Sequence, residues 1–207
     1  MRVRAGLLVA AFAALAGLVA AGSLTGLDQW AVDHAMPGAR FRRTTQTFTE
    51  SVVPLLHASW HPLLHGIANV VTVPASVLPS LLIAGAGWLV LWRRGRGRAA
   101  VVWAAAWVAG TAIEVVTKAA LTRPALFSHG LHLVGFDASY PSGHTIRIVL
   151  VAATLAVAWP AARLWLAGWA VCAVVLTEAA GFHTPSDVAG ALVLAALLVE
   201  LARRYAN

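Results

Sequence analysis

Charge is scarce in this chain of 207 residues: 11% of them are Asp, Glu, Lys or Arg, where a soluble domain averages roughly 25%. Acids are scarcest, eight in all, and lysine occurs once, as Lys118. Cysteine also occurs once, as Cys172, which excludes an intramolecular disulfide framework. What fills the chain instead is apolar: 60% of residues are hydrophobic and the mean hydropathy is +0.78. A soluble monomer of this size has no interior large enough for so much apolar surface, and a disordered chain carries far less of it. The net charge of +7 would suggest a nucleic-acid partner in a soluble protein. Here most arginines cluster beside apolar runs, which is a membrane-topology pattern, so the expected partner is the bilayer and not nucleic acid.

A membrane-spanning helix takes about 20 apolar residues. Apolar runs place six helices near Ala5–Ala21, Gly66–Trp92, Ala99–Thr117, Gly143–Trp159, Leu164–Ala180 and Val188–Leu201. The expected fold is therefore all-α, a polytopic membrane helix bundle of about six transmembrane helices forming a single domain over residues 1–207. Pro74 and Pro79 predict a kink in the second helix. The last three runs are short for a full span, which predicts tilt or local thinning. Arg2 and Arg4, Arg93 to Arg98, Arg163, and Arg203 with Arg204 all fall on one side of a six-span plan. The positive-inside tendency makes that side cytoplasmic; Arg40, Arg42 and Arg43 are the exception, in a long segment that follows the rule less strictly. The first helix also fits a cleaved signal peptide, with its basic start and small residues at Ala20, Ala21 and Gly22. Residues 23–65, with Trp30 and Trp60, read as an interfacial, partly helical segment.

Ionisable groups beside lipid-buried helices are functional candidates by default. Four such groups gather at the outer ends of the last four helices: Glu114, Lys118 and Arg123; Tyr140-Pro141-Ser142-Gly143-His144 with Arg147; Glu178; and His183 with Asp187. Ser142 reads as a helix N-cap. The amides that follow it form a ready anion site, which Gly143 lets a phosphate approach closely. His183 and Asp187, four residues apart, can share a face, the carboxylate holding one imidazole nitrogen as N–H and leaving the other to attack. Thr184, Pro185 and Asp187 equally make a normal helix start, and a carboxylate can serve both purposes. Glu114 and Lys118 stand in the favourable order for a helical ion pair, or Lys118 is a point cation aimed at phosphate. Arg123 can fork two hydrogen bonds to a phosphate, and Arg147 shares a helix face with His144.

These residues resemble the type 2 phosphatidic acid phosphatase superfamily, which includes the vanadium haloperoxidases. The resemblance covers about residues 105–190. That family has Lys, six residues, then Arg-Pro; Pro-Ser-Gly-His; and Ser-Arg, five residues, His, three residues, Asp. Lys118, Pro141-Ser142-Gly143-His144, His183 and Asp187 match. The first arginine falls instead at Ala125, with its proline at Leu126, and Ser-Arg falls at Leu176-Thr177. Arg123-Pro124 fits the pair that often precedes the required one. The resemblance implies an integral-membrane lipid phosphatase, metal-independent and without a cofactor, at the extracytoplasmic face of a cell (inner) membrane. It would cleave a lipid phosphomonoester or pyrophosphate. His183 would be the nucleophile, Asp187 its orienting partner and His144 the general acid and base. Lys118, Ser142 and Gly143 would bind phosphate, with Arg123 and Arg147 replacing the absent arginines.

The alternative is a family member of weak or no activity that binds lipid phosphate or a partner enzyme. A proton-coupled transporter would need charges near the midplane and repeated halves, and neither pattern is present in the sequence. Glu178 stands beside the lost arginine position, as a determinant of substrate charge or as a partner for Arg147. His57, His61 and His65 recur every four residues, but Pro62 interrupts the face, so an interfacial histidine face is expected rather than a metal site. His129 and His132 could rim the site. The tryptophans read as interface anchors and packing, and Cys172 as core.

Overall fold

A computed structural model describes residues 2–36 and 62–206. The arginines at 40, 42 and 43, Trp60, His57 and His61, and the side chain of His65, lie outside what is described. Among the described residues are eight α-helices: α1 (Arg2–Ala20), α2 (Thr25–His34), α3 (Pro62–Thr72), α4 (Val77–Arg93), α5 (Gly97–Ala120), α6 (Gly143–Ala158), α7 (Arg163–Ala179) and α8 (Pro185–Ala206). A two-residue hairpin, β1 (Phe127–Ser128) with β2 (Leu131–His132), is the only strand pairing described. The fold is the expected all-α membrane bundle.

Its centre is α6, which packs against α4, α5, α7 and α8; α1 lies along α8, and α3 along α7. Ile146, Ile148, Leu150, Val151 and Ala158 of α6 are all buried. Enclosure explains its length. Sixteen residues rise about 24 Å, short of a hydrocarbon core of about 30 Å, and helices rather than lipid surround it. Its end follows from Pro160, which restricts Trp159 to an extended backbone; Trp159 has φ −132° and ψ 81°.

Four helical stretches are long and apolar enough to cross a membrane: Val3–Ala20, Gly97–Ala120, Pro160–Ala179 and Pro185–Ala206. A fifth crossing is the broken pair Gly66–Ala75 and Val77–Arg93, bent by 56°. The expected kink is thus a full break. It sits at Pro74 and the extended Ser76, while Pro79 falls in the first turn of α4, where a missing N–H breaks no helical bond. The last helix is also longer than expected, because Pro185 starts it a turn earlier and Arg203 and Arg204 close it favourably against its dipole. Cys172, expected in the core, is exposed on the outside of α7. Trp103 and Trp107 do pack in the core, Trp107 edge-on to Trp88 at 6.3 Å between ring centroids, whereas Trp92 and Trp165 face outward.

Where helices lack a hydrophobic drive to associate, small residues let them approach. Gly110 of α5 is such a point: a Cβ there would lie 2.9 Å from Ile146 Cγ2 and 3.1 Å from both Leu150 Cδ1 and Leu198 Cδ1. At the other extreme of the fold, α2 folds over one end of the bundle. Ala31, Val32 and Met36 pack on Leu126, Leu133 and Phe136 of the α5–α6 connection. Gln29 fixes the register by donating to the Phe127 carbonyl at 2.7 Å and accepting from its amide at 2.9 Å. Replacing Gly110 by alanine should overpack the α5–α6–α8 contact and cost about 1–3 kcal/mol. Thermal unfolding in detergent, compared with Gly6→Ala, where a Cβ meets nothing, checks it.

Candidate functional site

The direction of each helix puts the candidate groups at one end of the bundle. Lys118 lies in the last turn of α5, His144 in the first turn of α6, and Asp187 in the first turn of α8. The arginines of the α4–α5 turn lie at the other end, where Arg94 and Arg96 donate to the Ala158 and Val157 carbonyls at the finish of α6.

Local rules of helix termination deliver His183. The helix α7 stops in a Schellman arrangement: the Phe182 amide donates to Thr177 O at 3.0 Å and the Gly181 amide to Glu178 O at 2.8 Å. Gly181 takes the left-handed backbone this requires, at φ 76°. Thr184 then begins α8, and Asp187 Oδ2 accepts its amide at 3.1 Å, one arm of a capping box. His183 is held between the stop and the start. Its Nδ1 lies 3.5 Å from the same Oδ2, a long contact for a hydrogen bond but within ion-pair range. The cap and the histidine partner are one carboxylate.

The second histidine is placed the same way. Ser142 caps α6, its Oγ accepting the Thr145 amide at 3.2 Å. The Ser142 amide donates to the Asp187 carbonyl at 3.1 Å, which ties this cap to the start of α8. His144 therefore faces His183 with ring centroids 5.9 Å apart, and stacks on Phe182 at 5.8 Å. Tyr140 lies buried just before, stacked on Phe12 and pressed against Gly190, whose Cβ would come 2.3 Å from the phenol oxygen. Burial, with the Asp187 charge adding to it, pushes the Tyr140 phenol above its ordinary range, so it stays a neutral donor to the Phe12 carbonyl.

The fixed charges form two buried networks. Arg123 pairs with Asp28, and its Nη1 lies 3.2 Å from Asp187 Oδ1 and 2.9 Å from Thr184 Oγ1. Asp28 also accepts the Ser186 amide at 3.0 Å and its hydroxyl at 2.6 Å. In the second network Glu114 holds Lys118 at 2.8 Å and Arg147 at 2.5 Å, and Arg147 Nε donates to Ala75 O at 2.7 Å, across the break between α3 and α4. The Glu114 carboxylate rests on Gly143, where a Cβ would lie 1.8 Å from its Oε1. The bare glycine face expected to admit a phosphate is covered by this side chain.

The structure thus brings His144, His183, Asp187, Ser142 and Gly143 together, with Lys118 beside Gly143 through Glu114. Arg123 and Arg147 are 7% and 4% exposed and engaged with carboxylates. The carboxylate of Arg147 is Glu114, not Glu178, which lies within electrostatic reach of Asp28. His132 Nε2 donates to Asp137 Oδ1 at 2.8 Å, and His129 is exposed. Asp28 was missed in the sequence. Its signal was its rarity, one of only eight acids in an apolar chain. Among the described residues no group of three or more His, Cys, Asp or Glu side chains could hold a metal ion.

No family model and no curated protein matches this sequence. The fold is that of a solved protein, the first transmembrane PAP2 type phosphatidylglycerolphosphate phosphatase from Bacillus subtilis. The match has a TM-score of 0.65 and 18% identity, and covers 98% of this chain and 95% of that one. At that identity the likeness is one of fold.

The Glu114 network sets a stability test. Glu114→Gln alone strands Arg147 in the bundle without its carboxylate and should cost about 3–5 kcal/mol. Adding Arg147→Met, which removes the stranded charge and keeps the volume, should recover most of that loss in the same thermal unfolding assay.

Proposed function

We propose that this protein is a lipid phosphate hydrolase working through a phosphohistidine on His183, at the extracytoplasmic face of the cell (inner) membrane. The observation that carries the reading is the pair of imidazoles from α6 and the α7–α8 link, 5.9 Å apart between centroids, with Asp187 behind His183. The pairing suits in-line phosphoryl transfer, which asks for positioned groups and charge stabilisation more than for covalent chemistry.

In the first step the neutral Nε2 of His183 attacks phosphorus. The bond from phosphorus to the leaving oxygen breaks, and His144 gives that oxygen a proton. The phosphorylated ring keeps its Nδ1 proton and becomes cationic, and Asp187 balances it. In the second step His144 takes a proton from water, the water oxygen attacks phosphorus, the P–N bond breaks, and phosphate leaves. Lys118, Ser142 and the Gly143 amide are the phosphate-binding groups, the phosphate displacing the Glu114 carboxylate that covers Gly143 in this structure, helped by the positive end of α6. Lys118 is the natural mobile cation, since its side chain is 28% exposed while those of Arg123 and Arg147 are 2% and 5%. Arg123 and Arg147 contribute from behind, by fixing Asp187 and Glu114. No metal and no cofactor enters this scheme.

The substrate is a phosphomonoester or pyrophosphate on a lipid chain: phosphatidic acid, phosphatidylglycerol phosphate or a polyprenyl pyrophosphate. The named substrate of the structural neighbour is one of these. The arginine-rich turn at the opposite end of the bundle supports this face through the positive-inside tendency.

A second reading is a protein that binds lipid phosphate, or a partner enzyme, without turnover. It is favoured by one observation: three cations near the site, Lys118, Arg123 and Arg147, are already matched by Asp28, Glu114 and Asp187. Purified protein with a panel of radiolabelled lipid phosphates separates the two. Hydrolysis predicts released phosphate and an alkali-stable, acid-labile label on His183. His183→Gln should abolish both, and His144→Gln should lower turnover by about 10²–10⁴. Binding of the panel with neither release nor label would select the second reading. Arg147→Ala should lower turnover well below that of Arg96→Ala, an arginine at the far end; equal rates would remove Arg147 from the site.

A further inference from the structure

We infer that Asp28, on α2, is a positioning residue of the site: it holds Arg123 so that Asp187 keeps its charge for His183. The inference rests on the phosphohistidine reading and names a part of that site which no sequence motif contains.

The argument begins with charge. Arg123 is one cation between two carboxylates, Asp28 and Asp187, and all three side chains are nearly or fully buried. Were Asp187 the only acid facing Arg123, the guanidinium would neutralise it, and little of its charge would be left to stabilise a cationic imidazole. Asp28 takes the other half of the guanidinium. The net is then short of one positive charge, and the ring of His183 supplies it when it is protonated or phosphorylated. Asp28 also acts on the backbone. It accepts both the amide and the hydroxyl of Ser186, the residue before Asp187, and so fixes the first turn of α8 from outside that helix.

The delivery of Asp28 is specific. It is fully buried on a helix that the Gln29–Phe127 hydrogen bonds and the apolar contacts of Ala31, Val32 and Met36 lock against the α5–α6 connection. That connection is the segment that carries Arg123. One docking event therefore places both partners. A solvated interfacial helix would have no reason to bury an acid completely, given the cost of desolvating it.

Other charged or titratable groups surround His183 at different depths. Asp187 on α8 and His144 on α6 face it directly, Arg123 on the α5–α6 connection and Asp28 on α2 stand behind Asp187, and Tyr140 lies within electrostatic reach of Asp187. Glu178 at the end of α7 lies within reach of Asp28, and the Glu114 network lies beside Gly143. Removing the Asp28 charge makes this surrounding less negative, which disfavours the imidazolium.

The test uses Asp28→Asn, nearly isosteric and still able to accept from Ser186, beside Asp33→Asn on the exposed face of the same helix. In folded, detergent-solubilised protein, Asp28→Asn should lower kcat by at least about tenfold and leave KM within about threefold. In an Arg123→Gln background the same change should have little further effect, because the route through Arg123 is already gone. Asp33→Asn should match the unmodified protein. A second readout needs no turnover: the imidazole ¹⁵N resonances of His183, assigned with His183→Gln. Their titration midpoint should move to lower pH by about half a unit or more in Asp28→Asn. A wild-type kcat, a loss confined to KM, or an unmoved midpoint would overturn the inference. If no lipid phosphate is hydrolysed at all, the phosphohistidine reading fails, while the His183 midpoint still decides the role of Asp28.

Discussion

One guanidinium between two carboxylates organises the end of the bundle that carries the two facing histidines. Arg123 joins Asp28 of α2 to Asp187 of α8, partners 95 and 64 residues away in sequence. None of the three is exposed to a useful degree, so removing Arg123 would leave two buried carboxylates unmatched. The cost of such a net secures its geometry: any state that separates the charges in a low-dielectric surrounding is strongly disfavoured. Through it, α2, the α5–α6 connection and the start of α8 behave as one unit around His183.

The histidines themselves are placed by devices that any helix uses to begin or end. A Schellman stop, a capping box and a serine N-cap satisfy amides and carbonyls that would otherwise be orphaned. Here those obligatory bonds also fix two imidazoles across one gap. Asp187 shows the economy best, since its Oδ2 serves both the cap and His183 and its Oδ1 meets Arg123. A change made for helix stability at this point also disturbs the placement of His183.

The second network, Glu114 with Lys118 and Arg147, makes the site less positive than a simple tally of its cations suggests. It also covers Gly143. On the proposed function, a phosphate arriving there would compete with a resident carboxylate for Lys118, while Arg147 is anchored to Ala75 at the helix break.

The sequence by itself determined the membrane bundle, a bend at the prolines of the second helix, and the helix start at Ser142, and it offered Thr184 as the cap of the last helix. Each of these is a local consequence of apolar run length, proline or capping chemistry. It also offered Lys118, His144, His183 and Asp187 as candidates, because such types are rare in so apolar a chain, and helix direction gathers them at one end of the bundle. It did not determine which acid meets which arginine. Glu114 rather than Glu178 takes Arg147, and Asp28 takes Arg123, because ion pairs between distant segments follow how helices dock, and nothing in linear spacing encodes that. Nor did it show Gly143 covered or Cys172 exposed: both depend on which face of a helix turns inward once its neighbours are in place. Partner choice across the bundle was settled only when packing brought α2 down onto the connection carrying Arg123.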